Sequence, residues 1–188
     1  MTGDLHSYLK ARIDHDGPID DLLSFPKYLE IETVNVCNAR CPFCTIDDWD
    51  RHSPAMKMDL FHKIADEIIE HRHEIRRVSL YRDGEPLLDK KLPQRIAYLK
   101  DGGVSGVAIS TNVSLLNETR ATEILSAGID QVILSVDSLR KETFEIMRAG
   151  LNFETVRDNA IRFIELRDQL RPETQIWMRM VSDEDNRD

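Results

Sequence analysis

The sequence predicts an α/β fold built on a parallel β-sheet, and three observations favour it. Short apolar runs typical of strands alternate with stretches in which apolar residues recur every three or four positions, as on one face of a helix. The run around Val132, Ile133 and Leu134 is nearly continuously apolar, as in a strand buried on both faces of a parallel sheet. Polar or cysteine residues follow the first four strands. Because ligands of open α/β sheets bind beyond the carboxyl ends of the strands, these residues are predicted to form one shared site.

Five strands are predicted. They span about 28–36, 75–81, 104–110, 129–136 and 175–181. The third follows a turn rich in glycine, and the fifth follows a proline that ends a helical pattern.

Three helices are predicted between these strands. The first begins near Asp59, a plausible N-cap. A short second helix is capped by Asn117 and ends at Gly128, and a longer one spans about 153–170 before Pro172 breaks the pattern.

The composition sets limits on the function. The 188 residues suffice for one domain with a sizeable core, and 41% of them are hydrophobic. The net charge of −9 makes nucleic acid an unlikely partner class. No apolar run approaches the roughly 20 residues of a membrane helix, and the first residues do not resemble a signal peptide. We therefore expect a cytoplasmic protein without a membrane partner.

The three cysteines are the strongest chemical signal. Cys37, Cys41 and Cys44 have the spacing C-x3-C-x2-C and follow the first strand. An odd, clustered set indicates a metal or redox site rather than a disulfide framework. Thiolates at this spacing can bind three irons of a cubane cluster and leave the fourth iron without a protein ligand. The alternative is a structural zinc site that recruits His52.

With aromatic Phe43 between the second and third cysteines, the motif resembles the signature of the radical S-adenosylmethionine (SAM) superfamily. The resemblance covers about 28–181 and implies a partial (βα)6-type radical SAM barrel, with about five βα units in this chain. It implies two cofactors, a [4Fe–4S] cluster held by the three cysteines and SAM on the open iron. It places Phe43 near the adenine of SAM.

Later stretches carry the resemblance further. Gly84-Glu85-Pro86 resembles the "GGE" stretch that holds the amino group of SAM, although Asp83 replaces its first glycine. An ammonium group needs carbonyl or carboxylate acceptors, and glycine allows a close approach of the backbone. The same residues are also common in plain turns.

The ends of the third and fourth strands supply further candidates. Ser110 and Asn112 resemble an S/T-N-G stretch, with Val113 where glycine is common. Ser135 and Asp137 resemble an "S-x-D" ending, and such side chains can hold ribose hydroxyls. Their alternative role is helix capping.

Arg148 matches an arginine that related enzymes direct at the SAM carboxylate. A guanidinium forms a bidentate pair with a carboxylate, through two parallel N–H···O hydrogen bonds. The alternative is a solvent-facing arginine on a helix. The resemblance assigns no catalytic side chain of this chain beyond these cofactor contacts.

The resemblance implies an oxidoreductase. In the family, a reduced cluster cleaves SAM to a 5′-deoxyadenosyl radical, which abstracts hydrogen from the substrate. The implied partners are a low-potential donor, flavodoxin- or ferredoxin-like, and an unknown small-molecule or peptide substrate, either a peptide or protein side chain or a sugar or aminocyclitol. The alternative is a non-catalytic module that binds cluster and SAM, or half of a complex completed by a partner.

The resemblance also sets the predicted domain boundaries. We expect an N-terminal extension at 1–27, a radical SAM core at 28–182 that lacks its last strand, and an acidic tail at 183–188. The resemblance is to the branch that often continues into a cysteine-rich domain with auxiliary clusters. This chain has only three cysteines, so no second cluster is expected within it.

Overall fold

The computed structural model of the chain describes residues 25–48, 50 and 55–182. Most of the predicted extension at 1–27 and the whole predicted tail at 183–188 lie outside the described residues. So does His52, the histidine of the alternative zinc site.

Five parallel strands form one sheet, in the order β1-β2-β3-β4-β5 along both the chain and the sheet. The strands are β1 (Tyr28–Glu30), β2 (Arg77–Ser79), β3 (Val107–Thr111), β4 (Gln131–Ser135) and β5 (Gln175–Arg179). The predicted α/β class and the parallel sheet are confirmed, and β4 is buried along its whole length as its apolar run indicated.

Five helices connect the strands. They are α1 (Met58–Glu70), α2 (Leu92–Asp101), α3 (Glu118–Ser126), α4 (Lys141–Met147) and α5 (Phe153–Leu170), with 3-10 turns at Ile46–Asp48 and Pro86–Leu88. Each crossover steps to the next strand in the same direction. Because such crossovers are right-handed, the helices share one face of the sheet.

The strands are shorter than predicted. After β1 the chain leaves the ladder, and Val34 forms an isolated antiparallel bridge with Ala55 instead. β3 begins three residues late because Gly106 adopts a φ of 75°, and a Cβ there would collide with the carbonyl oxygen of Arg76. The chain therefore turns sharply where the prediction continued the strand.

Two helices agree with the prediction, one begins differently, and two were missed. Asn117 caps α3 by accepting a hydrogen bond from the N–H of Arg120 at 3.0 Å. The predicted N-cap Asp59 is wrong, because α1 begins one residue earlier and its N-cap is Lys57, whose backbone continues the extended path from Ala55. The prediction lacked α2 and α4.

The far edge of β5 has no neighbouring strand in the described part of the chain. Trp177 and Met178 are more than half exposed on opposite faces of the strand. Separately, no helix in the described part of the chain has the length and apolarity that a membrane crossing requires.

Candidate functional site

The turn after β2 packs directly against the segment that leads into the cysteine loop. The N–H of Glu85 donates to the carbonyl oxygen of Val36 at 2.9 Å. A Cβ at position 84 would collide with the carbonyl oxygen of Val34, so only glycine allows this approach. Gly84 thus fixes the turn to the start of the cysteine loop.

Glu32, which the sequence did not indicate as a site residue, also binds the turn after β2. Its Oε1 accepts hydrogen bonds from the N–H groups of Asp83 and Gly84 at 3.0 and 3.2 Å. A lone glutamate after a strand gives no signal of this role, since the contact spans about fifty positions of sequence.

Glu85 joins the turn to the end of β3. Its Oε1 accepts from the hydroxyl of Thr111 at 2.6 Å and from the N–H of Leu87 at 3.1 Å, and its Oε2 accepts from the N–H of Asn112 at 2.8 Å. The side chain is 3% exposed. Its burial raises the pKa of the Glu85 carboxyl, and the three donors offset only part of that effect. Pro86 begins the buried 3-10 turn that follows.

Asn112 turns back from the end of β3 towards the cysteine loop. Its Nδ2 donates to the Sγ of Cys37 at 3.8 Å and to the Oδ1 of Asn38 at 2.9 Å. Ser114 donates to the Asn112 Oδ1 from both its N–H and its hydroxyl, at 3.1 and 2.7 Å. The third strand end is therefore in direct contact with the first.

Val113 keeps a glycine-like conformation at the position where the sequence lacks glycine. Its φ is 69°, in the left-handed region, and its side chain is completely buried. The Nδ2 of Asn159 on α5 donates to the carbonyl oxygens of Val113 and Ser114 at 3.0 and 3.1 Å, which holds the loop in place.

The two predicted serines meet across neighbouring strands. The Oγ atoms of Ser110 and Ser135 lie 3.1 Å apart, and both side chains are at least partly buried. A hydroxyl pair of this kind can donate to and accept from a polyol.

Arg148 links the end of β4 to the cysteine loop. Its Nε lies 2.6 Å from the Oδ2 of Asp137, its Nη1 donates to the Sγ of Cys41 at 3.7 Å, and its guanidinium carbon lies 5.5 Å from the ring centroid of Phe43. The N–H of Val181 donates to the other oxygen of Asp137 at 2.9 Å. Asp137 is wholly buried, so in this arrangement its carboxylate faces Arg148 rather than an open ribose subsite.

The three thiols form no disulfide and differ in their exposure to solvent. Cys37 and Cys41 are half-buried, and Cys44 is exposed. Burial raises the pKa of the Cys37 thiol. The N–H groups of Ala39 and Asn112 donate to its sulfur and lower that pKa in part. Burial likewise raises the pKa of the Cys41 thiol, and the charge of Arg148 opposes it. N–H donors and a cation around the sulfurs suit thiolate ligands.

The candidate donor set for a metal consists of the three cysteines of one loop. In the described part of the chain, no group of three His, Cys, Asp or Glu side chains could hold one metal ion. A tetrahedral zinc ion would draw its sulfurs to about 3.8 Å from one another, given Zn–S bonds of about 2.3 Å. A cubane spreads its thiolates over different irons, so they stand farther apart. Three thiols on one loop, two of which accept N–H bonds from Asn112 and Arg148, are chemically suited to act as thiolate ligands of a cluster.

The structure therefore brings together residues from all four strand ends. The Cys37 loop touches Asn112, the Cys41 side touches Arg148, and the turn at Glu85 reaches both the loop and β3. Which of these side chains contact a cofactor stays a prediction.

Comparison with known proteins gives one family match. The model of the "Radical SAM superfamily" matches residues 31–169. A "Probable GTP 3′,8-cyclase" of Methanococcus maripaludis is 31% identical over 131 residues, which cover 69% of this chain and 43% of that protein.

Two further similarities extend the comparison. A Pyrococcus furiosus "Tungsten-containing aldehyde ferredoxin oxidoreductase cofactor-modifying protein" is 33% identical over 113 residues, covering 60% of this chain and 31% of that protein. The crystal structure of Streptococcus suis SuiB bound to S-adenosylmethionine has a TM-score of 0.69 and 18% identity, covering 86% of this chain and 35% of that one. The chain thus spans less than half the length of these proteins.

Proposed function

This chain belongs to the radical SAM superfamily, and from that premise we propose that it binds a [4Fe–4S] cluster through Cys37, Cys41 and Cys44 and cleaves SAM reductively. The superfamily uses both cofactors. The observation that carries the proposal is the convergence of the cysteine loop with the ends of β2, β3 and β4, since it supplies thiolates, N–H donors and polar groups at one edge of a parallel sheet.

A cluster held by Cys37, Cys41 and Cys44, with SAM bound beside it, would supply the reducing and radical chemistry of the reaction. The chain's own residues bind and orient. Arg148 pairs with the SAM carboxylate, and Asp137 positions Arg148 for that contact. The ring of Phe43 packs near the adenine. It is 36% exposed, so an apolar surface is open to a ligand there.

The serine pair and the turn complete the proposed pocket. Ser110 and Ser135 offer hydroxyls to the ribose. The turn at Gly84 offers main-chain carbonyl oxygens to the SAM ammonium, because the carboxylate of Glu85 is already engaged by three donors of the protein. Pro86 shapes this turn.

A low-potential donor of the flavodoxin or ferredoxin type is the proposed source of the electron. Cys44 is the exposed member of the three ligands, so the cluster would lie near the surface on that side. The proposed substrates remain a peptide or protein side chain, or a sugar or aminocyclitol. The name of the cyclase relative adds GTP to the compounds worth assaying.

A second candidate has one specific observation in its favour. The far edge of β5, which no described strand covers and where Trp177 and Met178 are exposed, suits a cluster- and SAM-binding module or half of a complex completed by a partner. Such a module would bind SAM without cleaving it.

The test is anaerobic. The protein is reconstituted with iron and sulfide, reduced with dithionite and mixed with SAM, and 5′-deoxyadenosine is measured. The proposal expects about four irons per chain and product that Cys41→Ala abolishes, whereas the surface variant Arg162→Ala keeps it. Iron uptake and SAM binding without product would support the module instead. A chain that takes up no iron would overturn both.

A further inference from the structure

Two side chains direct N–H groups at two of the three sulfurs. The Nδ2 of Asn112 lies 3.8 Å from the Sγ of Cys37, and the Nη1 of Arg148 lies 3.7 Å from the Sγ of Cys41. Sulfur is a large, weak acceptor, so N–H···S bonds are longer than N–H···O bonds. The backbone N–H of Ala39 also donates to Cys37, at 3.4 Å.

Asn112 is held in this orientation by a closed ring of hydrogen bonds. Its Nδ2 donates to Asn38, the Nδ2 of Asn38 donates to the Ser114 hydroxyl at 2.8 Å, and that hydroxyl donates back to the Asn112 Oδ1. The ring has one consistent direction, because the N–H of Ser114 also occupies the Oδ1. The amide nitrogen of Asn112 must therefore be the end that faces Cys37.

The burial of Asn112 strengthens this arrangement. Asn112 is 4% exposed, and its own N–H donates to the buried carboxylate of Glu85. A donor fixed in advance loses little entropy when it meets a charged sulfur, and it acts in a medium of low dielectric constant.

On the basis of the proposed function, we infer that Asn112 raises the reduction potential of the cluster through its N–H···S bond to Cys37. Arg148 acts in the same way on Cys41. Reduction adds negative charge to the cluster and its thiolates, and N–H donors stabilise the more negative state. Hydrogen bonds to the sulfurs are a recognised means of setting such potentials. Asn112 is thus a positioning residue, distinct from a direct SAM contact.

The two roles of Asn112 predict different measurements. A SAM contact would change the affinity for SAM and leave the potential of the SAM-free cluster unaltered. A donor to the thiolate changes that potential before any SAM is added. The experiment is a redox titration of the reconstituted protein without SAM, followed by electron paramagnetic resonance, with iron and sulfide content measured in parallel.

Asn112→Ala and Asn112→Asp are the variants. The alanine variant is expected to shift the midpoint potential to a more negative value, and the aspartate variant to shift it further, because a carboxylate replaces the donor. The matched control is Asn159→Ala, which removes two hydrogen bonds to the same loop but touches no thiolate. It should lower the denaturation midpoint and keep the potential.

Three results would overturn the inference. Unchanged potentials in both Asn112 variants, with normal iron content, would refute it while leaving the proposed function intact. Loss of iron from both variants, with iron retained in the control, would make Asn112 a structural residue only. Wild-type protein that takes up no cluster would refute the proposed function itself, and this inference with it.

Discussion

Two buried aspartate–arginine pairs follow different strands of this sheet, Asp89–Arg95 after β2 and Asp137–Arg148 after β4. In the pair Asp89–Arg95, the Nε donates to the Oδ2 at 2.8 Å, and both side chains are almost fully buried. In the pair Asp137–Arg148, the corresponding atoms lie 2.6 Å apart, but the N–H is not aimed at the oxygen and the arginine is 13% exposed.

The surroundings of the two guanidinium groups differ more than the pairs themselves. The other contacts of Arg95 are with structural residues of the core. It donates to the carbonyl oxygen of Met56 at 2.5 Å and lies 4.8 Å over the ring of Phe61. Arg148 instead reaches the candidate ligand Cys41 and the ring of Phe43. Burial of an ion pair therefore does not by itself indicate a functional residue. The other contacts of the arginine are a better indicator of function.

The largest effect is expected from Arg95→Met. It leaves the carboxylate of Asp89 buried without a counter-charge, which should cost about 3–5 kcal/mol of unfolding free energy. Urea denaturation measures the loss. The double variant Asp89→Asn/Arg95→Met should lose less than the sum of the two single variants, because neither charge remains. A loss below about 1 kcal/mol in Arg95→Met would mean that water reaches Asp89.

Arg148→Met should cost less stability and more function. Arg148 is 13% exposed whereas Arg95 is 1% exposed, so water reaches the site of Arg148 more easily and we expect a loss of about 1–3 kcal/mol in urea denaturation. SAM binding and 5′-deoxyadenosine formation should both fall sharply, whereas Arg95→Met should spare them in the fraction that remains folded. Arg148→Lys tests geometry, since it keeps the charge and loses the planar fork. Full activity in Arg148→Met would contradict the contrast between the pairs.

Glu85 provides a third buried carboxylate, which accepts hydrogen bonds from two main-chain N–H groups and one hydroxyl. Its pKa is raised in the folded chain above the ordinary value of about 4.3. Its contribution to stability is then fully present below that ordinary value and is lost as the pH rises through the raised pKa. The difference in unfolding free energy between wild type and Glu85→Gln should therefore shrink as the pH rises. A difference that grows with pH would show that the three donors stabilise the anion.

The smallest effect is expected from an exposed pair. Arg162 on α5 contacts Glu118 on α3 at 3.1 Å, and water surrounds both side chains. Arg162→Ala should leave the denaturation midpoint unchanged within error, because solvent screens such pairs. A clear loss would mean that α3 and α5 depend on this bridge, and the contrast with the buried pairs would weaken.

The sequence predicted the fold class well, and the structure brings the candidate site residues at the strand ends into contact. Apolar runs indicate buried strands whatever their neighbours are, and the carboxyl ends of parallel strands must share an edge. It located strand ends less well. The left-handed turn at Gly106 and the bridge at Val34 depend on contacts with other segments.

Helix α2 was missed although its signal is present. Leu92, Ile96 and Leu99 recur at helical spacing and are completely buried. Pro93, which stands in the first turn, is compatible with a helix start. This miss was avoidable.

The roles within the site were harder to anticipate. The residues were identified, but nothing in the sequence pairs Asp137 with Arg148 or directs Asn112 at Cys37. Those contacts follow from tertiary packing across tens of positions. Sequence motifs therefore proposed candidate members of the site, and only the three-dimensional arrangement distinguishes side chains open to a ligand from those that contact their neighbours.

The backbone of Val113 has a consequence for how this position can vary. A left-handed conformation costs an ordinary residue about 1–2 kcal/mol, and burial of a valine side chain returns about 1.5–3 kcal/mol. Glycine would remove the conformational cost but would also lose the free energy of side-chain burial, so the two effects nearly cancel. A larger or polar residue would keep the conformational cost and would not regain the free energy of burying an apolar side chain that fits. Position 113 can therefore drift between two residue types at little cost, and the loop beside the cysteines tolerates hardly any other substitution there.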